Sequence, residues 1–327
     1  MKKVLILIYA LSLASVVLGQ QDPQFSNNML NNIVQNPAFV GVTGKWNASG
    51  AQREQWTGID GSPAVSVFSL DIPFNVLTTR HGFGVLFMSD KYGSSLKTKT
   101  TTVSLSYAYK FNFLKGQCSI GARINYINQS FDGNLFIPSG SVWNSHKQII
   151  SDNFDGPSVK SSEVVFDYSA GVFYHNSKFY LGASVNHVLE PSTYSTSFKN
   201  AEGGSETVDM KMKRHYYFAT GYTFEIGQNM KAKPSIYGVS DFSSYQFTGN
   251  LNFLIKDRYW VGASYRQDDA IVVLAGITLN KGIMIGYAYD YGISKISKMS
   301  NGSHELMVSY SFDIKFRNQK YRSVRFL

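Results

Sequence analysis

The chain has 327 residues and one cysteine, Cys118, so it could form two soluble domains or one large barrel, and no intrachain disulfide can staple it. Aromatic residues make up 15% and charged residues only 16%, against roughly 25% charged in an ordinary soluble domain, which argues against an outer surface that lies wholly in water. A formal charge of +9 would suit nucleic acid, but the N-terminus reads as an export signal, and nucleic acid is therefore excluded as a partner.

That signal spans residues 1–19. Lys2 and Lys3 precede an apolar run, Val4–Val17, and Val17 and Gly19 predict cleavage before Gln20. The run falls short of the ~20 residues a membrane span needs, and the absence of a cysteine at the cut excludes a lipoprotein. Residues 20–44 are Asn-rich and contain Pro23 and Pro37, which predicts a periplasmic or plugging segment rather than a strand.

Fourteen strand patterns follow: 45–54, 64–73, 81–90, 101–112, 117–128, 164–174, 178–188, 213–226, 232–240, 245–255, 258–266, 269–279, 282–291 and 304–314. The stretch Gly282–Tyr291 typifies them. One alternate set is Ile283, Ile285, Tyr287, Tyr289 and Tyr291, and the other is Gly282, Met284, Gly286, Ala288 and Asp290. A strand sends these sets to opposite faces, one apolar and aromatic, one small or polar. The connections after odd strands include the long ones, 55–63, 91–100, 130–162, 189–212 and 292–303, whereas those after even strands are mostly tight. Long loops on one rim and short turns on the other is the outer-membrane layout. A large exported β-sandwich is the alternative, but its outer faces should be more charged. The expected fold is all-β: a transmembrane antiparallel up-and-down β-barrel of outer-membrane type with about 14 strands, over residues 45–314.

The sequence offers little catalytic chemistry. The six histidines show no metal-binding spacing, one cysteine gives no thiolate site, and no nucleophile elbow, phosphate loop or dinucleotide fingerprint appears. The chain is therefore expected to be no enzyme and to need no cofactor. Arg123, Asp167, Arg214, Arg266 and Asp290 fall on predicted lumen faces, where they would either brace the lumen as ion pairs or form a ring selecting a solute. The tail, 315–327, carries Lys315, Arg317, Lys320, Arg322 and Arg325 and is either a disordered basic end or a periplasmic docking strip for an acidic partner.

Several blocks add a family resemblance. Gln21-Asp22-Pro23-Gln24-Phe25-Ser26 with Met29 and Asn31, then Asn36-Pro37-Ala38-Phe39-Val40-Gly41, resembles the mature N-terminus of the PorP/SprF family of type IX secretion and gliding systems. Arg53-x-Gln55-Trp56-x-Gly58, Phe166-Asp167, Tyr180-x-Gly182-x-Ser184 with His187, Arg214-His215-Tyr216, Gly262-x-Ser264-Tyr265-Arg266, Gly286-Tyr287-x-Tyr289-Asp290-Tyr291 and Ser303-His304-Glu305 continue it in order. Cys118 departs from it, standing where a leucine would be expected. The resemblance implies a non-enzymatic barrel of the outer membrane, embedded in its lipid. It would support secretion or surface attachment of a large secreted cargo or adhesin, and contact periplasmic type IX or peptidoglycan-linked components. It marks Asp22, Pro23, Gln24, Phe25, Asn36, Pro37, Arg53, Gln55, Trp56 and Gly58 as signature and partner-contact candidates. Residues 22–41 are expected to fold into or beneath the barrel and block diffusion. The outer loops near Trp56, 130–162 and 189–212 are expected to hold cargo. The alternative is a diffusion channel for small solutes, with an open lumen.

Overall fold

A computed structural model describes residues 22–29, 31–94, 96–134, 158–199, 205–279 and 282–312. The expected signal, 1–19, and basic tail, 315–327, lie outside the described residues. The wall comprises β1 (Trp46–Glu54), β2 (Ala64–Val76), β3 (Thr79–Tyr92), β4 (Leu96–Phe113), β5 (Gly116–Asn134), β6 (Ser158–His175) and β7 (Phe179–Asn186). A separate hairpin, β8 (Ser192–Lys199) and β9 (Ser205–Lys211), follows. Next come β10 (His215–Tyr222), continued after Thr223 by β11 (Phe224–Ile226), then β12 (Met230–Ser240), β13 (Tyr245–Ile255), β14 (Tyr259–Arg266), β15 (Ala270–Thr278), β16 (Ile283–Gly292) and β17 (Ser303–Phe312). Both β10 and β11 pair with β12, so they count as one wall strand, and the wall has 14.

Every wall strand is antiparallel to its neighbours, and β1 closes the barrel on β17, from Trp46 opposite Phe312 to Glu54 opposite His304. Closure leaves no open sheet edge, which is what lets strands cross a bilayer. Alternation sets the two faces. On β16, Tyr287 and Tyr291 are exposed to the surroundings, while Ala288 and Asp290 are 0% and 2% exposed inside. Outward apolar residues such as Phe68, Leu105, Ile124, Phe166 and Val273 form the lipid-facing coat. Rings gather toward strand ends, where Tyr107 and Tyr109 flank His81, and Trp46 meets Phe312.

The structure corrects the sequence reading on the long-loop rim. The connection expected over 91–100 shrinks to a turn, because β3 runs to Tyr92 and β4 starts at Leu96. β5 likewise extends to Asn134 and β6 begins at Ser158. Lys91, Lys97 and Lys99 read as loop residues, yet strand pairing continues through them, as it can where strands are longer than the roughly 9–11 residues a bilayer crossing needs. The 189–212 connection contains the β8–β9 hairpin, whose Ser- and Thr-rich strands lack an apolar alternation.

Candidate functional site

The lumen is filled by the chain's own N-terminal segment. From Asp22 the backbone descends from the long-loop mouth, forms a short helix α1 (Asn32–Gln35) and a 3-10 turn (Pro37–Phe39), and enters β1 at the short-turn rim. Phe25, Asn27, Asn31, Ile33, Ala38 and Val40 are almost wholly buried against the wall. Three apolar contacts recur along it. Phe25 packs on Ala51, Val65, Val67, Leu86 and Met307. Met29 joins Trp260, Val272 and Leu274. Ile33, Ala38, Phe39 and Val40 meet Ala108 and Phe173.

A charged network grips the outer end of the plug. The Ser26 hydroxyl donates to Asp290 at 2.6 Å and accepts from Arg53 Nη1 at 2.7 Å and Arg266 Nη2 at 3.0 Å, which uses its one donor and both acceptor positions. Arg53 also pairs with Asp290 at 2.8 Å and Glu305 at 3.4 Å. Arg266 bridges Asp290 at 3.0 Å and Asp269 at 3.1 Å. Glu305 in turn accepts the backbone N–H groups of Ser26 at 2.6 Å and Asn27 at 3.0 Å. The wall's charges are thus spent on two backbone N–H groups, the Asn27 amide and one hydroxyl of the plug.

A second clamp holds Asp22. His187, at φ 55° just past β7, lies between two carboxylates: Nδ1 is 2.7 Å from Asp167 and Nε2 is 2.9 Å from Asp22. The Tyr217 hydroxyl donates to the other Asp22 oxygen, and Leu189 N–H donates to Asp167. Burial alone would lower the His187 pKa, but attraction to Asp22 and the hydrogen bonds to Asp167 and Asp22 prevail and push it from 6.5 up to about 10. Burial pulls the Asp22 carboxyl the other way, and it is outweighed by His187, His215 and Tyr217, so Asp22 stays below the usual carboxylate range. An imidazolium donating to two carboxylates is the resulting state.

Farther down, close backbone packing joins charge. Asn36 accepts from Ala38 N–H at 2.9 Å, which caps the 3-10 turn, and donates to the wall carbonyls of Val172 at 3.0 Å and Ala183 at 3.3 Å. Pro37 follows at the position that needs no N–H. Arg123 reaches from β5 to the carbonyls of Ile33 and Val34, the unpaired groups that end α1. The turn lies so close to the wall that a Cβ at Gly121 would collide with the Ala38 and Pro37 backbone, and one at Gly82 with the Val40 carbonyl. Lys110 donates to that same carbonyl, and Asp71 accepts Gly41 N–H at 2.7 Å.

Of the residues singled out from sequence, Asp22, Phe25, Asn36, Pro37 and Arg53 lie inside the lumen, at the plug or its contacts, with Arg123, Asp167, Arg266 and Asp290. Arg214 does not join them. It stands at the rim, its side chain 40% exposed, and pairs with Glu190 at 3.4 Å and the Val188 carbonyl at 2.9 Å. Its strand begins at His215, so the alternation that predicted an inward side chain does not reach it. Pro23, Gln24, Gln55 and Trp56 line a cavity of about 980 Å³ at the long-loop mouth, floored by Asp22. Gly58, at φ 93°, turns the β1–β2 loop beside Asn301. Sequence reasoning missed Ser26, His187, Glu305, Lys110 and Asp71 as lumen contacts. For Glu305 the two-residue period of β17 was the available signal, since Met307 shares its face. Among the described residues no cluster of His, Cys, Asp and Glu is placed to hold a metal ion.

The chain matches the family model described as type IX secretion system membrane protein PorP/SprF over residues 17–310. It belongs to this family. Among curated proteins none matches. Among solved structures, a Pseudomonas aeruginosa FadL homologue is similar with a TM-score of 0.51 at 12% identity, over 90% of this chain and 96% of that one. The P. putida toluene transporter TodX gives 0.50 at 12%, over 86% and 93%. The CymD monoaromatic hydrocarbon channel gives 0.50 at 11%, over 90% and 95%. At these identities the likeness is one of fold, the outer-membrane barrel. This PorP/SprF protein is accordingly an outer-membrane component of type IX secretion.

Proposed function

We propose that this PorP/SprF barrel is a closed, non-enzymatic platform that supports secretion or surface attachment of a large secreted cargo through protein–protein contacts at its outer mouth. The observation that carries this reading is the placement of the plug. It occupies the lumen from Asp22 to Val42, and the 980 Å³ cavity above it opens at the long-loop mouth, the rim that the outer-membrane layout turns to the cell surface, with the short-turn rim toward the periplasm. Aromatic side chains there, Trp56, Tyr92, Phe131 and Tyr245, suit the anchoring of a protein segment. The β8–β9 hairpin contributes Met210 and Lys211 to the same cavity and offers more surface for contact.

Replacing residues 192–211 by a short turn tests the reading. Surface cargo should be lost while the barrel keeps the heat-modifiable gel mobility of a folded wall, and undiminished surface cargo would overturn it. A diffusion channel makes the opposite prediction in planar bilayers, where the intact protein would conduct. A closed platform conducts only after residues 22–42 are removed. Orientation has its own check. Gln24→Cys should react with a membrane-impermeant maleimide on whole cells, and Thr43→Cys should not.

A further inference from the structure

At the periplasmic mouth a second cavity, of about 690 Å³, is roofed by the end of the plug, Gly41 to Gly44. Three cations reach it: Arg80 at the start of β3, Lys110 near the end of β4, and Lys115 in the β4–β5 turn. Arg80 and Lys110 are opposite one another in the β3–β4 register, so their side chains share the lumen face. Asn75, Asn112, Gln117 and Asn176, with His81 and His175, add to a polar lining. Lys110 is 4% exposed and is engaged with the Val40 carbonyl, so it belongs to the plug seat. Arg80 and Lys115 are exposed and form no ion pair among the described residues. The nearby carboxylate, Asp71, does not line the cavity, because its Oδ2 is turned to Gly41 N–H at 2.7 Å and Asn47 at 3.3 Å.

Like charges on facing strands inside a barrel repel, and they are costly unless an anion meets them. Among the described residues the wall carboxylate nearest this mouth, Asp71, is held by Gly41 and Asn47 and attracts the buried Lys110, and no carboxylate is paired with Arg80 or Lys115. The chain's own tail is a poor candidate. β17 ends at this rim, and residues 313–327 beyond it carry five cations against one carboxylate, Asp313. We infer that the periplasmic cavity is a receptor for an acidic peptide segment of a periplasmic protein, whose Asp or Glu carboxylates meet Arg80 and Lys115 beneath the plug. The cavity's size suits a few side chains.

The experiment uses the full chain in phosphatidylcholine nanodiscs and fluorescein-labelled hexaglutamate, followed by anisotropy. Hexaglutamate should bind, should weaken steeply between low and moderate salt, and should lose about tenfold or more in affinity in the Arg80→Glu/Lys115→Glu double variant. Lys298→Glu, on the outer rim away from both cavities, should leave binding unchanged. Should the double variant fail to fold by gel mobility, Arg80→Gln/Lys115→Gln replaces it, with a smaller loss expected. Equal binding by wild type and folded variant overturns the inference. So does displacement of hexaglutamate by inorganic phosphate or phosphatidylglycerol at matching concentration, which would assign the site to a phosphate or a lipid headgroup. Neither result bears on cargo at the outer mouth.

Discussion

Between Asp22 and Asn27 the plug is held by charge, whereas between Asn36 and Gly41 it is held chiefly by shape. Above, four buried ionic groups, Arg53, Arg266, Asp290 and Glu305, converge on Ser26 and its neighbour. Below, wall glycines let the 3-10 turn approach the strands closely, and Asn36 ties it to two wall carbonyls. The two devices respond to different perturbations. Ion pairs tolerate side-chain motion but not the loss of one partner, because the other is left buried and uncompensated. A close backbone approach tolerates changes of charge but not an added methyl group.

Arg53→Ala tests the outer half and should have the largest effect. It strips Asp290 and Glu305 of a shared cation in a buried site, where such a loss costs about 3–5 kcal/mol. The measurement is urea unfolding in detergent, followed by gel mobility. Exchanging both members of a pair, as Arg53→Met with Glu305→Met, should recover only part of that loss, since Asp290 keeps Arg266 but the Ser26 and Asn27 N–H groups lose their acceptor. If Arg53→Ala unfolded at the same urea concentration as wild type, the outer end would not depend on charge.

Gly121→Val tests the inner half. Its side chain must displace the Ala38 backbone, for an expected cost of about 1–3 kcal/mol, the range of overpacked cores. The wall should still close, but the lower plug should become sensitive to added protease, while Gln24→Cys at the outer end keeps its labelling rate. Loss of both ends together would show that the plug seats as a single unit.

The wall was legible in the sequence because a strand's period of two repeats over fourteen segments, and tight turns such as Leu114-Lys115, both in the left-handed region, separate them. What was not legible lies where that code stops. The overshooting end of β4 carries lysines on its outer face and threonines, not apolar residues, on its buried inner one, so Lys97 and Lys99 look like a loop although their backbones are paired. The plug contacts are hidden for a different reason. Arg53 and Asp290 are 237 positions apart, and nothing in either strand's alternation says which charge on the lumen face meets which. The Asn-Pro-Ala-Phe-Val-Gly block stood out as a motif, but only the structure relates Asn36 to the carbonyls of Val172 and Ala183 and the small turn to Gly82 and Gly121.

The smallest effect is expected from pH, and it should separate the two ends most cleanly. The His187 pKa is raised in the folded protein, from 6.5 to about 10, so its contribution is complete below about pH 6.5 and is lost as pH rises through 10. Asp22 is depressed, so its share is present above its ordinary 3.8 and is lost only in strong acid. The clamp should therefore be strongest between about pH 4 and 6.5 and loosen across 6.5 to 10. Some exposure remains at both groups, and water screens what separates them, so the expected loss is about 1 kcal/mol. Labelling of Gln24→Cys, corrected with a free thiol for the reagent's own pH dependence, should accelerate over that window. His187→Gln should abolish the acceleration, because a neutral amide has no proton to lose. Labelling of a cysteine at Thr43, measured from the periplasmic side in purified protein, should follow the free thiol throughout. If both ends accelerated together, charge at the outer mouth would be controlling the whole plug, and the division between a charged end and a shape-held end would not stand.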